Sequence, residues 1–113
     1  GGIFFHTKYQ DKGWPVGHEA QINQTQKDPV KTGSVYIVKK SLKAPAKDNE
    51  WFHYEIIVKG SRVETKVDGK TVVVYEEGKD VKGKRKLSTG TIGLQAHDPG
   101  SIVLVKNIKA KSL

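Results

Sequence analysis

"RVETKVDGKTVVVYEE", residues 62–77, decides the fold. Val63, Thr65 and Val67 alternate with Arg62, Glu64 and Lys66, the period-two pattern of a strand with one covered face. Asp68-Gly69 then supplies two residues able to take the positive φ of a tight I′ turn, and a β-branched run returns over 71–76. The preceding "EWFHYEIIVKGSR" reads as another strand, 51–59, closed by Gly60-Ser61. Together they make a meander of three strands.

Outward from this hairpin, no segment holds a helical period. Short β-branched and aromatic runs alternate with Gly, Pro, Asn and Asp clusters, which predicts further strands at 3–6, 18–23, 34–39, 90–97 and 102–111. Eight short strands in 113 residues fit one all-β domain, residues 1–113, built as an antiparallel jelly-roll-like β-sandwich. The loops 7–17, 24–33, 40–50 and 77–89 are long for hairpin connections, and long loops are where sandwiches place binding groups.

Composition narrows the function. Lys+Arg total 20 against 12 Asp+Glu, a formal charge of +8. That balance suits an anionic partner, yet the one dense basic run, "KGKRK" at 82–86, has no interleaved aromatic and matches no nucleic-acid motif, so it reads as a solvated loop. Nucleic acid is not expected as a partner. Cysteine is absent, which removes disulfides and thiolate chemistry. No apolar run has the length of a membrane span. Methionine is absent even at position 1, as expected of a processed or excised chain. No P-loop, dinucleotide fingerprint or zinc-spaced set is present.

Two polar stripes stand out. In "GTIGLQAHDPG", 90–100, Ile92, Leu94 and Ala96 share one face, expected to be core. Gly93, Gln95 and His97 share the other, and Asp98 opens the turn. In "GHEAQIN", 17–23, Glu19, Gln21 and Asn23 share a face opposite His18, Ala20 and Ile22. Lysine decorates most exposed positions of this chain but is missing from both stripes, which favours a site over a solvated surface. An amide, an imidazole and carboxylates on one sheet face can hold a sugar or ligate a cation. A missing side chain at Gly93 would let a ligand approach the backbone. Near the loops, His6, Tyr9 and Trp14 can stack on sugar faces. Trp51 is expected to cap the core.

The ordered set "GIFFHT", "GHEAQIN", "KTGSVY", "EWFHYEIIVKGSRVETKVDGKTVVVY" and "GTIGLQAHDPGSIVLVKNIKAK" resembles the 3-keto-disaccharide hydrolase domain family from Gly2 to Leu113. The resemblance implies a concanavalin A-like jelly roll, shortened here because the family's first strands have no counterpart. It also implies a periplasmic or secreted bacterial setting, a carbohydrate partner, and cleavage of a glycosidic bond in a sugar oxidised at C3. In this reading Glu19 and His97 transfer protons, and Gln21, Gln95, His6 and Trp14 bind substrate. Asp98 is the candidate ligand for a divalent cation, the one cofactor suggested. The family has Arg after "GIFF" where this chain has His6. The alternative is a non-catalytic, lectin-like carbohydrate-binding module. Exposed sheet edges would favour a homodimer.

Overall fold

The computed structural model describes residues 1–113 and contains six strands and no helix. They are β1 (Gly2–Lys8), β2 (Val16–Gln21), β3 (Tyr54–Lys59), β4 (Arg62–Val67), β5 (Lys70–Glu76) and β6 (Thr91–Gln95). They form two antiparallel three-stranded sheets, ordered β2-β1-β6 and β3-β4-β5. The fold is an all-β sandwich, as the alternation predicts.

The second sheet is the expected meander. Asp68 and Gly69 have φ of 50° and 78°, the turn geometry their side chains permit. Asp68 Oδ1 also accepts a bond from His53 N at 2.9 Å. Val63, Val67 and Thr65 are buried on one face while Arg62 stays in solvent.

The core lies between the sheets. Phe5 and Ala20 of the first meet Val63 and Val73 of the second, with Val35 between. Polar ties cross the seam. The Tyr54 hydroxyl donates to Gln21 O (3.0 Å) and accepts from Gly33 N (3.1 Å). His18, fully buried, stacks on Phe5 and meets the edge of Tyr75, and its Nε2 lies 3.1 Å from Glu77 Oε2. That oxygen also accepts from Leu87 N at 2.8 Å, which anchors the loop after β5.

Several expectations fail. Residues 34–39 form a turn and not a strand: Ile37 takes φ 75°, and Val35 bonds back to Lys39. Only isolated bridges remain, one of them from Val35 to Ala20 on the edge of β2. Residues 102–111 pair with no strand, and Ile102, Leu104 and Ile108 are exposed. With no strand beyond β6, nothing covers the Ile92 and Leu94 face expected to be core, and these residues are 59% and 52% exposed. The third strand starts at Tyr54, so Trp51 lies outside it. Trp51 is exposed, under the Lys106 ammonium at 4.1 Å, and does not cap the core. No helix is long and apolar enough to cross a membrane.

Candidate active site

The site grows from the register of the first sheet. Gly2 sits directly between Gln21 on β2 and Gln95 on β6, and Phe4 sits between Glu19 and Gly93. Opposed residues share a face, so Glu19, Gln21 and Gln95 converge on the side turned away from the core. Gly2 makes this possible. A Cβ there would fall 2.4 Å from Glu19 Oε1 and 2.8 Å from its Cγ. The missing side chain is the space that the carboxylate fills. At Gly93, by contrast, a Cβ would meet Phe4 Cβ at an ordinary contact distance of 3.7 Å, so the packing there does not demand a glycine.

Glu19 is 4% exposed and its two oxygens differ. Oε1 accepts from Gln95 Nε2 at 3.0 Å and, with the Gln21 amide in the orientation that satisfies both of its ends, from Gln21 at 3.1 Å. Oε2 makes no hydrogen bond within the chain and lies 3.8 Å from Arg85 Nη2. Burial raises the carboxyl above its ordinary 4.5, against the opposing pull of Arg85, the Gly1 ammonium, Gln95 and His97. The site therefore holds a carboxylate with one oxygen fixed, one oxygen free and its proton affinity increased.

Around it opens a pocket of about 400 Å³, within the roughly 300–1,000 Å³ of small-molecule sites. Trp14 supplies an aromatic wall, stacked on Phe4 with ring centres 6.4 Å apart. His97 meets the Trp14 ring edge-on at 4.7 Å. Of the residues singled out in the sequence, Trp14, Glu19, Gln21, Gln95, His97 and Asp98 all line this pocket. His6 does not. It lies at the bulge of β1 with φ 49°, its Nδ1 buried and unpartnered, so the irregularity that turns the strand carries its ring away. Asn23 also lies outside. It is buried and pins the following loop, donating to Asp28 O (2.8 Å) and Val30 O (3.0 Å).

Besides Gly1 at the head of β1, five lining residues were not foreseen: Arg85, Tyr36, Gln26, Lys27 and Asp28. They come from loops or from the turn at 34–39, where no periodicity marks them. Arg85 had one signal, being the single arginine among the lysines of 82–86. Arg is the cation suited to partly buried, planar pairing. Its side chain is 19% exposed, so that part of the run is not solvated. Tyr36 donates to Asp28 Oδ2 at 3.2 Å, and burial, then Asp28, raises its hydroxyl.

The donor set does not suit a cation. Asp98 Oδ2 accepts from Gln26 (2.5 Å) and Ser101 (2.8 Å), and Oδ1 accepts from Gly100 N (2.9 Å). These bonds, the Gly100 one foremost, hold its carboxyl below the ordinary range. Both oxygens of Asp98 are thus engaged in its own turn, Glu19 faces Arg85, and nowhere do three His, Asp or Glu side chains gather as a ligand set.

A family model described as the 3-keto-alpha-glucoside-1,2-lyase-like domain matches residues 1–111. The chain belongs to this family. No curated protein and no solved structure gives a significant match. The family match spans both polar stripes and the Arg85 loop, so every wall of the pocket lies inside the lyase-like domain.

Proposed function

We propose that the protein is a lyase acting on glycosides oxidised at C3, with Glu19 as the base. The observation that supports this best is the Glu19 carboxylate: buried, raised in proton affinity, and free at Oε2 in a pocket open to a sugar-sized ligand. A keto group at C3 acidifies the proton on C2. Oε2 takes that proton, and the C2–H electron pair moves into a C2–C3 double bond as the C3 carbonyl becomes an enolate. When the carbonyl re-forms, a C1–C2 double bond forms and the C1–O glycosidic bond breaks. The leaving oxygen departs with the electron pair and takes up one proton. The products are an unsaturated 3-keto sugar and a free alcohol. A carboxyl raised by burial is better matched to this abstraction than an ordinary one, because its basicity lies nearer the working pH. The Gln21 and Gln95 amides hold Oε1 and so aim Oε2. Trp14 offers a flat apolar face for the sugar ring, and His97 stands beside it as the group that returns a proton to the leaving oxygen.

The test is release of nitrophenol from nitrophenyl 3-keto-α-glucoside, with Glu19→Gln alongside. The variant keeps the shape and the amide contacts but has no base. Turnover in the wild type and a loss of about 10²–10⁴-fold in the variant are expected. Saturable binding of the sugar without turnover in the wild type would instead make this a lectin-like module.

A further inference from the structure

Removing a C2 proton requires that the charge arriving on the C3 oxygen be held, and the cation that stands within 4 Å of the free Glu19 oxygen is the Arg85 guanidinium. Building on the lyase reading, we infer that Arg85 is the electrophilic partner of Glu19: its guanidinium donates to the C3 oxygen as the enolate forms.

The geometry of Arg85 carries this. Its Cζ lies 5.9 Å from the Phe4 ring centre and 6.0 Å from that of Tyr36, so two aromatic rings flank the guanidinium. The loop that bears it is clamped to β2 by reciprocal bonds. Gly17 N donates to Lys84 O at 2.8 Å, and Arg85 Nη1 donates to Gly17 O at 3.3 Å. Thus the side chain is placed by its neighbours before any ligand arrives. A guanidinium has five N–H donors, and Arg85 makes this one hydrogen bond. At 3.8 Å, Nη2 is too far from Glu19 Oε2 to bond it, yet close enough to act beside it. The α-proton of a ketone and its carbonyl oxygen sit on adjacent carbons, so a base and a donor a few ångströms apart reach both at once. The electron pair freed at C2 ends on the C3 oxygen, where Arg85 meets it. No electron or proton moves to or from the arginine itself. Fixed donors aimed at developing charge are worth most where water is scarce.

The test uses the same nitrophenyl 3-keto-α-glucoside, whose leaving group needs no acid, so its rate reports the C2 step. In R85A, kcat falls by about 10²-fold with a smaller change in KM, as when one oxyanion donor is removed, and added guanidinium restores part of the rate. The acid limb of the kcat/KM profile also moves to higher pH, because the Arg85 charge no longer lowers the Glu19 carboxyl. Should R85A lack a thermal transition, R85K takes its place. It keeps the charge but not the planar fork, and a loss of at least about tenfold is expected. A wild type that turns over while the folded variant stays within threefold of it overturns this inference alone. A wild type that releases no nitrophenol overturns the lyase reading and this inference with it.

Discussion

The two sheets are built from the same strand types, yet one is local and the other is not. In β3-β4-β5 each strand pairs with its neighbour in sequence, through two-residue turns at Gly60-Ser61 and Asp68-Gly69. In β2-β1-β6 the first strand joins one from the far end of the chain, and both of its pairings carry a register shift. The local sheet is joined by two-residue turns and lends no residue to the pocket. The non-local sheet carries the pocket, and its outer face also receives side chains from the loops 24–33 and 77–89. A sheet that closes early in sequence can serve as a platform. A sheet that gathers distant segments brings distant side chains to one place.

The sharpest way to break this contrast is to put a methyl group into each sheet where only a glycine stands. Gly2→Ala drives a Cβ into the Glu19 carboxylate, with Oε1 at 2.4 Å, Cγ at 2.8 Å and Cδ at 3.0 Å. The carboxylate must leave its two amides or the strand must shift. Activity on the keto-glucoside is expected to fall by about 10²-fold, as for a misplaced catalytic group, with a stability loss of about 1–3 kcal/mol from overpacking. Kinetics and a thermal melt on one preparation measure both. An active Gly2→Ala enzyme would mean that Glu19 works from another position.

What could be read in advance follows the same division. The hairpin at 62–76 was legible because alternation and Asp68-Gly69 are local signals. The pocket was legible in part, since Glu19, Gln21 and Gln95 sit on alternating stripes whose partner positions share a face. Arg85 and Tyr36 were not, because loop side chains owe their positions to tertiary contacts such as the Gly17 clamp. Strand propensity misled at 34–39, where Ile37 turns the chain, and at 102–111, where the unbroken apolar run Ile102, Val103, Leu104 and Val105 finds no neighbouring strand. Propensity shows that a segment can pair. It does not supply the partner.

The seam between the sheets gives a smaller effect, read in pH. Burial lowers the His18 imidazole below its ordinary 6.5, with Glu77 opposing. Between 6.5 and the lowered value, the unfolded chain binds a proton that native His18 refuses. Its contribution to stability is therefore complete above pH 6.5 and is lost as the pH falls through the folded value. Glu19 acts in the opposite sense. Its raised carboxyl makes the native chain bind the extra proton above 4.5, so acidification relieves its cost. A His18→Gln variant keeps the Glu19 response and loses the other. On lowering the pH from above 6.5 to about a unit below, the wild-type melting temperature should fall by a few degrees more than the variant's. Equal slopes would show that another group sets the acid sensitivity.

The smallest expected effect belongs to the local sheet. Gly69 has φ 78°, and a Cβ at that position would meet nothing within 4 Å. The cost of Gly69→Ala is thus conformational alone. The left-handed region costs an L-residue about 1–2 kcal/mol, and the stiffer unfolded chain returns about 0.4–1 kcal/mol of it. A net loss of about 1 kcal/mol corresponds to a melting temperature lower by several degrees in a domain of this size. The substituted turn joins β4 and β5, which contribute no residue to the pocket. Turnover of the keto-glucoside at a temperature well below the melt should stay at the wild-type value. If Gly69→Ala instead costs activity in proportion to Gly2→Ala, the two sheets are mechanically coupled through the seam at Tyr54 and His18. The platform would then be part of the machinery that aims Glu19.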